Sequence, residues 1–265
     1  MRSLSTSCHH LPMRCRLCGG ASSGFTIVEM LVVVGIIAVL VGLVMPAISS
    51  ARRAGLVSQD LSNLRSLSQA HAAYMNVFKE RFVDAALPHG GMADPNADTF
   101  VDTLQPYFGS ELAFRSPLDR SAMWPPQDMT SVAAGSVFRR TSYGMNNYLS
   151  RRYSPEVALN GAGSGADALS RVPDPSSTVC FLLMAEEGDF ATADHPHVED
   201  WASLSQPEQV AAVAARQVAI NAVDRLRPSP ASESDWSFVD GHVATARFET
   251  LYESVDRNKF DPRAR

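Results

Sequence analysis

The sequence predicts an α+β protein: one long N-terminal helix, apolar in its first half and amphipathic in its second, packed on a small antiparallel β-sheet head with an inserted helix. Three observations lead there. Residues 30–51 are 22 consecutive uncharged residues. The next stretch, to about residue 80, keeps apolar residues at helical spacing. Beyond it, short runs rich in β-branched and aromatic residues alternate with Gly, Pro, Asn and Asp, the pattern of strands and turns. With 265 residues, 45% of them hydrophobic, the chain is long enough to bury a real core. Its net charge of −5 and the lack of a Lys/Arg-dense stripe with interleaved aromatics argue against a nucleic-acid partner.

Residues 1–24 contain Arg2, Arg14 and Arg16 and no acid, and read as a leader that is removed. Cys8, Cys15 and Cys18 lie in it. Cys15-x-x-Cys18 with His9 and His10 nearby looks like half a zinc site, but no second ligand pair comes after it at a suitable spacing. Loss of the leader leaves Cys180 alone, with no intrachain disulfide to form.

Residues 25–51 read as a transmembrane or assembly helix. At about 1.5 Å per residue the uncharged run spans about 33 Å, enough to cross a bilayer. It is apolar on every face, unlike a soluble amphipathic helix. A secretory signal is the alternative, with Ser49-x-Ala51 as its cut site. Two features oppose it: the run is longer than a usual signal core, and Glu29 falls within its first turns, where an unpaired carboxylate in hydrocarbon is costly. A cut between Gly24 and Phe25 supplies a partner, because the new α-amino group of Phe25 lies four residues before Glu29 on the same helical face. In a bundle of such helices the carboxylate can instead meet a neighbour's amine, which makes the register between copies specific. Pro46 lacks a backbone donor and is expected to kink the helix or leave it locally unwound.

Gly24-Phe25-Thr26-Ile27-Val28-Glu29, leading into the apolar run, resembles the cleavage and methylation site of type IV prepilins and type II secretion pseudopilins. The resemblance implies a pilin-like fold and a membrane aspartic peptidase that cuts after Gly24 and methylates the amine of Phe25. It also implies that Glu29 is the assembly glutamate. Pro46 stands where such helices often carry a proline. The implied partners are the prepilin peptidase/methylase, other pilin or pseudopilin subunits met through the N-terminal helix, and membrane lipid. The implied location is the bacterial inner membrane, single-pass, with the head in the periplasm or extracytoplasmic space. Ala21-Ser22-Ser23 stand directly before Gly24, where many such leaders carry Lys or Arg, and Met13 is an alternative start.

From residue 52 to about residue 80 the helix continues as an amphipathic segment, with Leu56, Leu61, Leu64, Leu67, Ala70 and Tyr74 at mostly three- and four-residue steps. Residues 81–265 form the extracytoplasmic head. Loops are expected over 88–98 and 117–135, and strands over 141–149, 178–185, 236–239 and 242–248. Asp240 and Gly241 fit a two-residue type I′ hairpin turn, and a single carboxylate there cannot build a calcium cage. Residues 204–226 read as the inserted helix, opened by a Ser205/Glu208 capping box with Pro207 in the first turn. Head residues 114–119, 141–148, 175–186 and 238–243 resemble pilin-like proteins with a C-terminal processing-associated domain. That pattern usually has a histidine ten residues before the Asp-Gly pair, where this chain has Pro230, and a cysteine where Ser116 stands.

One cluster has metal-binding or acid–base chemistry: Asp194, His195, His197, Glu199 and Asp200, with Glu186, Glu187 and Asp189 shortly before. Pro196 between the histidines argues for a loop, and acidic loops are usually solvated. No nucleophile elbow, phosphate loop, dinucleotide fingerprint or zinc-protease motif occurs, so no enzyme, catalytic residue, metal or cofactor is expected. The expected function is that of a structural subunit, a pseudopilin or minor pilin of a type II secretion or type IV pilus-like fibre. The alternative is a membrane-tethered binding protein or metal-dependent hydrolase that does not polymerise.

Overall fold

The computed structural model describes residues 24–88, 98–128, 132 and 136–264. The leader with its cysteines and histidines, most of the 88–98 loop and part of the 117–135 loop lie outside the described residues. The chain divides into two compact units between Ser49 and Ser50.

The first unit contains the start of α1 (Ile27–Val77). Thr26 caps this helix. Its hydroxyl accepts from the Glu29 amide at 3.2 Å, while the Glu29 carboxylate accepts from the Thr26 amide and hydroxyl, both at 2.8 Å. This reciprocal capping box satisfies orphan donors of the first turn. The helix is continuous across Pro46, so local unwinding, one of the two effects expected of that proline, does not occur.

The second unit, from Ser50 onward, opens with the other half of α1. Here Asp60, Leu64, Leu67, Ser68, Ala70, His71, Tyr74 and Met75 are buried, a stripe at three- and four-residue steps along one face. The helix was expected to reach about residue 80 but stops at Val77. Lys79 and Glu80 take left-handed φ of 55° and 63°, which a continuing helix does not allow.

The head comprises α2 (Phe100–Leu104), β1 (Tyr143–Met145), α3 (Pro155–Asn160), β2 (Val179–Leu183), α4 (Pro207–Ala214), β3 (Glu233–Phe238) and β4 (Val243–Arg247), with short 3-10 turns between them. The four strands form one antiparallel sheet in the order β1-β2-β3-β4. With α1, this makes the α+β fold that the sequence predicts. Side chains alternate across the sheet. Phe181 and Leu183 join Leu64, Leu67 and Tyr74 of α1 in one apolar cluster. Leu182 and Trp236 join Trp201, Phe248 and Phe260 in a second cluster with α4. The sheet thus lies between α1 and a layer of short helices and loops.

All four strands fall within or beside the predicted runs, and three departures have physical causes. First, β1 stops at Met145, because the Asn146 side chain turns aside. Its amide donates to the carbonyls of Val179 and Phe260 at 2.8 and 2.7 Å, and its oxygen caps the next turn. Second, the hairpin turn is not type I′. Gly241 alone has positive φ (91°), Asp240 does not, and the Gly241 amide donates to the Phe238 carbonyl at 2.9 Å. A bond from the Phe238 amide to the His242 carbonyl closes a three-residue loop, Val239 to Gly241, with glycine at the left-handed position. Third, the inserted helix is α4 alone, eight residues rather than 204–226. Ser205 makes no cap; Gln206 is the N-cap and Pro207 sits at its first position. Helix propensity loses after Ala215 because residues 217–219 pair with the end of β2. The Ala185 amide donates to the Gln217 carbonyl at 3.0 Å and the Ala219 amide to that of Leu183 at 2.8 Å.

Gly144 of β1 allows a close approach: a Cβ built there would lie 2.2 Å from the Met184 sulfur.

Candidate functional site

The motif Gly24 to Glu29 sits at the entry to α1. Gly24 and Phe25 are exposed and non-helical, with Phe25 76% exposed and open space around Gly24. The Gly24–Phe25 bond therefore lies in irregular backbone two residues before the first helical residue, the kind of segment a peptidase can accept. The Thr26 amide and hydroxyl both donate to Oε2 of Glu29. Glu29 thus has donors before any cut, a role for Thr26 that the motif alone did not suggest. The signal was present as Thr26-x-x-Glu29 directly before an apolar run.

The helix beyond this motif is apolar and uncovered. Seventeen large hydrophobic side chains from Phe25 to Ile48 are between 46% and 85% exposed. At about 1.5–3 kcal/mol for each side chain, leaving them in water costs on the order of 25–50 kcal/mol. The cost is one of solubility, since the unfolded chain exposes the same side chains, and it favours any apolar cover. α1 is long and apolar enough to cross a membrane, and lipid or other apolar helices can cover its first half.

The acidic histidine loop divides into separate structural roles. Asp194 is buried, and its carboxylate accepts from the amides of Ala86 and Leu87 at 2.9 and 3.0 Å and contacts His195 Nδ1 at 3.2 Å. His195 stacks on Tyr153 with ring centroids 3.7 Å apart. His197 Nδ1 meets Glu199 Oε1 at 2.8 Å, and this bond raises His197 above its ordinary pKa. Asp200 accepts from Gln217 at 3.0 Å. Glu186, Glu187 and Asp189 instead line an open groove of about 760 Å³ with Arg216 and Arg225, where Glu186 pairs with Arg225 at 2.8 Å. Among the described residues, no three His, Cys, Asp or Glu side chains converge as a metal site.

Asp240 is a turn residue: its Oδ1 accepts from the His242 amide at 3.0 Å and lies 2.6 Å from His242 Nδ1. Cys180 is buried against His71, with Sγ 3.6 Å from Nδ1, while His71 Nε2 accepts from the Val83 amide at 3.2 Å. Burial pushes His71 down to about 3 and the thiol well up. The pair is therefore neutral and lacks the thiolate that cysteine chemistry needs.

Comparisons with protein-family models, with curated proteins and with solved structures find no match. The functional reading rests on the residues of this chain.

Proposed function

We propose that the chain is the precursor of a pilin-like structural subunit, cut after Gly24 by a prepilin-type peptidase and N-methylated on Phe25. It then polymerises through its N-terminal helix in a type II secretion or type IV pilus-like fibre. The observation that carries this reading is the motif Gly24 to Glu29 standing, exposed, directly before an uncovered apolar helix. The Thr26 amide reaches Glu29 Oε2 at 2.8 Å, so an α-ammonium created on Phe25 begins one residue from that carboxylate. It can then bond its own Glu29 or that of a neighbouring copy, and the second choice fixes the stagger between helices. The subunit is anchored in the bacterial inner membrane, its head is extracytoplasmic, and it has no catalytic role.

Glu29→Ala separates this reading from a tethered protein that acts alone. The expected result is a chain that still inserts and still folds its head but is absent from isolated fibres. Incorporation equal to the unsubstituted chain overturns the assembly role.

A further inference from the structure

The stripe that α1 lays on the sheet contains an acid facing an acid. Asp60 of α1 and Asp235 of β3 are both fully buried, and each carboxyl lies within interaction range of the other. Asp60 Oδ1 accepts from the hydroxyls of Ser116 at 2.5 Å and Tyr143 at 2.9 Å. Asp235 Oδ1 accepts from Thr245 of β4 at 2.5 Å. The two remaining oxygens, Asp60 Oδ2 and Asp235 Oδ2, are sealed from water and have no hydrogen-bond donor among the described residues. Two ionised carboxylates would leave two buried like charges side by side with those oxygens unpaired, which burial strongly disfavours. One proton removes the conflict by turning one carboxyl into a donor for the other.

We propose that Asp60 and Asp235 share a single proton, and that this proton latches α1 onto β3, so that the head's grip on its own helix weakens as pH rises through neutrality. The inference does not depend on the proposed function. Among the described residues, the groups that act on the pair include no cation to replace the proton. Tyr143 of β1 contributes a hydroxyl, with Asn63 of α1 donating to its oxygen at 3.1 Å. A further acid, Asp119, itself held by Arg139 at 2.8 Å, adds negative charge to Asp60. The hydroxyls of Ser116, Tyr143 and Thr245 already donate to the carboxylates, so among the described residues the pair lacks the neutral acceptors that complete a metal cage.

Burial raises both carboxyls above the ordinary carboxylate range. The folded head therefore keeps a proton that the unfolded chain loses above about pH 4. The latch's contribution is full below that point and declines as pH rises toward and past the raised values. His71, on the same stripe, works in the opposite sense. It is neutral in the fold, so below its unfolded pKa of about 6.5 it subtracts stability as pH falls. The pair is isolated by comparison with variants that keep His71.

The test is thermal unfolding of the full chain in detergent, read by fluorescence of the buried Trp201 and Trp236, at about pH 5 and about pH 8. Asp235→Asn and Asp60→Asn each replace the shared proton with a permanent amide donor. The expected result is that the unsubstituted chain loses roughly 5 °C relative to either variant between the two pH values. Equal pH dependence in all three overturns the proposal. Stabilisation of the unsubstituted chain by added calcium or magnesium, absent in both variants, also overturns it in favour of a metal site. If neither variant folds, infrared spectroscopy of the unsubstituted chain decides: a protonated-carboxyl C=O band that persists at about pH 5.5, where ordinary carboxyls are ionised, and is lost by about pH 8 supports the latch, and its absence at about pH 5.5 overturns it.

Discussion

The two halves of α1 belong to one continuous helix and meet their surroundings by different rules. The first, up to Ile48, is apolar on every face, and its large side chains are at least 46% exposed. Such a surface specifies an apolar environment and little else, because lipid or any apolar helix will cover it. Its start is fixed by a directional polar contact, the capping box of Thr26 and Glu29. The second half buries a narrow stripe in which Leu64, Leu67 and Tyr74 supply the apolar area. Asp60, Ser68 and His71 set the register against the Ser116 and Tyr143 hydroxyls, Ser237 and the Val83 amide. Apolar area drives the helix onto the sheet, and directional polar contacts fix where it stops.

Identical substitutions in the two halves test this contrast. Leu67→Ala removes a side chain with no exposed surface and is expected to destabilise the head by about 2–5 kcal/mol, seen as a lower unfolding midpoint. Leu40→Ala, at a position 56% exposed, should leave that midpoint unchanged. A comparable loss in both would mean that the first half is also packed within the fold. A smaller effect separates the two serines. Ser68→Ala breaks the 2.7 Å contact with Ser237 and leaves a buried hydroxyl without its partner, for about 1–2 kcal/mol. Ser49→Ala loses only a local bond to the Met45 carbonyl and should be neutral in the same assay.

Much of this contrast was legible in the sequence. An uninterrupted apolar run announces its need for cover, and Leu64, Leu67, Ala70 and Tyr74 mark the correct face of the second half. Asp60, Ser68 and His71 were not legible, because a hydrophobicity pattern passes over polar residues on a buried face, and their partners lie far away in sequence. The hairpin between β3 and β4 was placed correctly from Asp240-Gly241, but its loop type depends on which backbone groups pair, here Phe238 with His242. The length of α4 was overestimated for a related reason. The residues after Ala215 have good helix propensity, yet residues 217–219 pair with the end of β2 and its continuation, a long-range gain that local pattern does not carry. At the candidate site, the motif alone marks Gly24, Phe25 and Glu29, and Thr26-x-x-Glu29 before the apolar run carries the signal of the cap.

The bond between Gly24 and Phe25 is central, since its cleavage would place an amine beside Glu29 at the head of an otherwise unspecific apolar helix. Mass spectrometry of the N-terminal peptide from membrane-extracted or fibre-associated protein tests this most directly. The expected mature N-terminus is a methylated Phe25; an intact Met1, or an N-terminus beyond Ala51, would contradict the proposed processing.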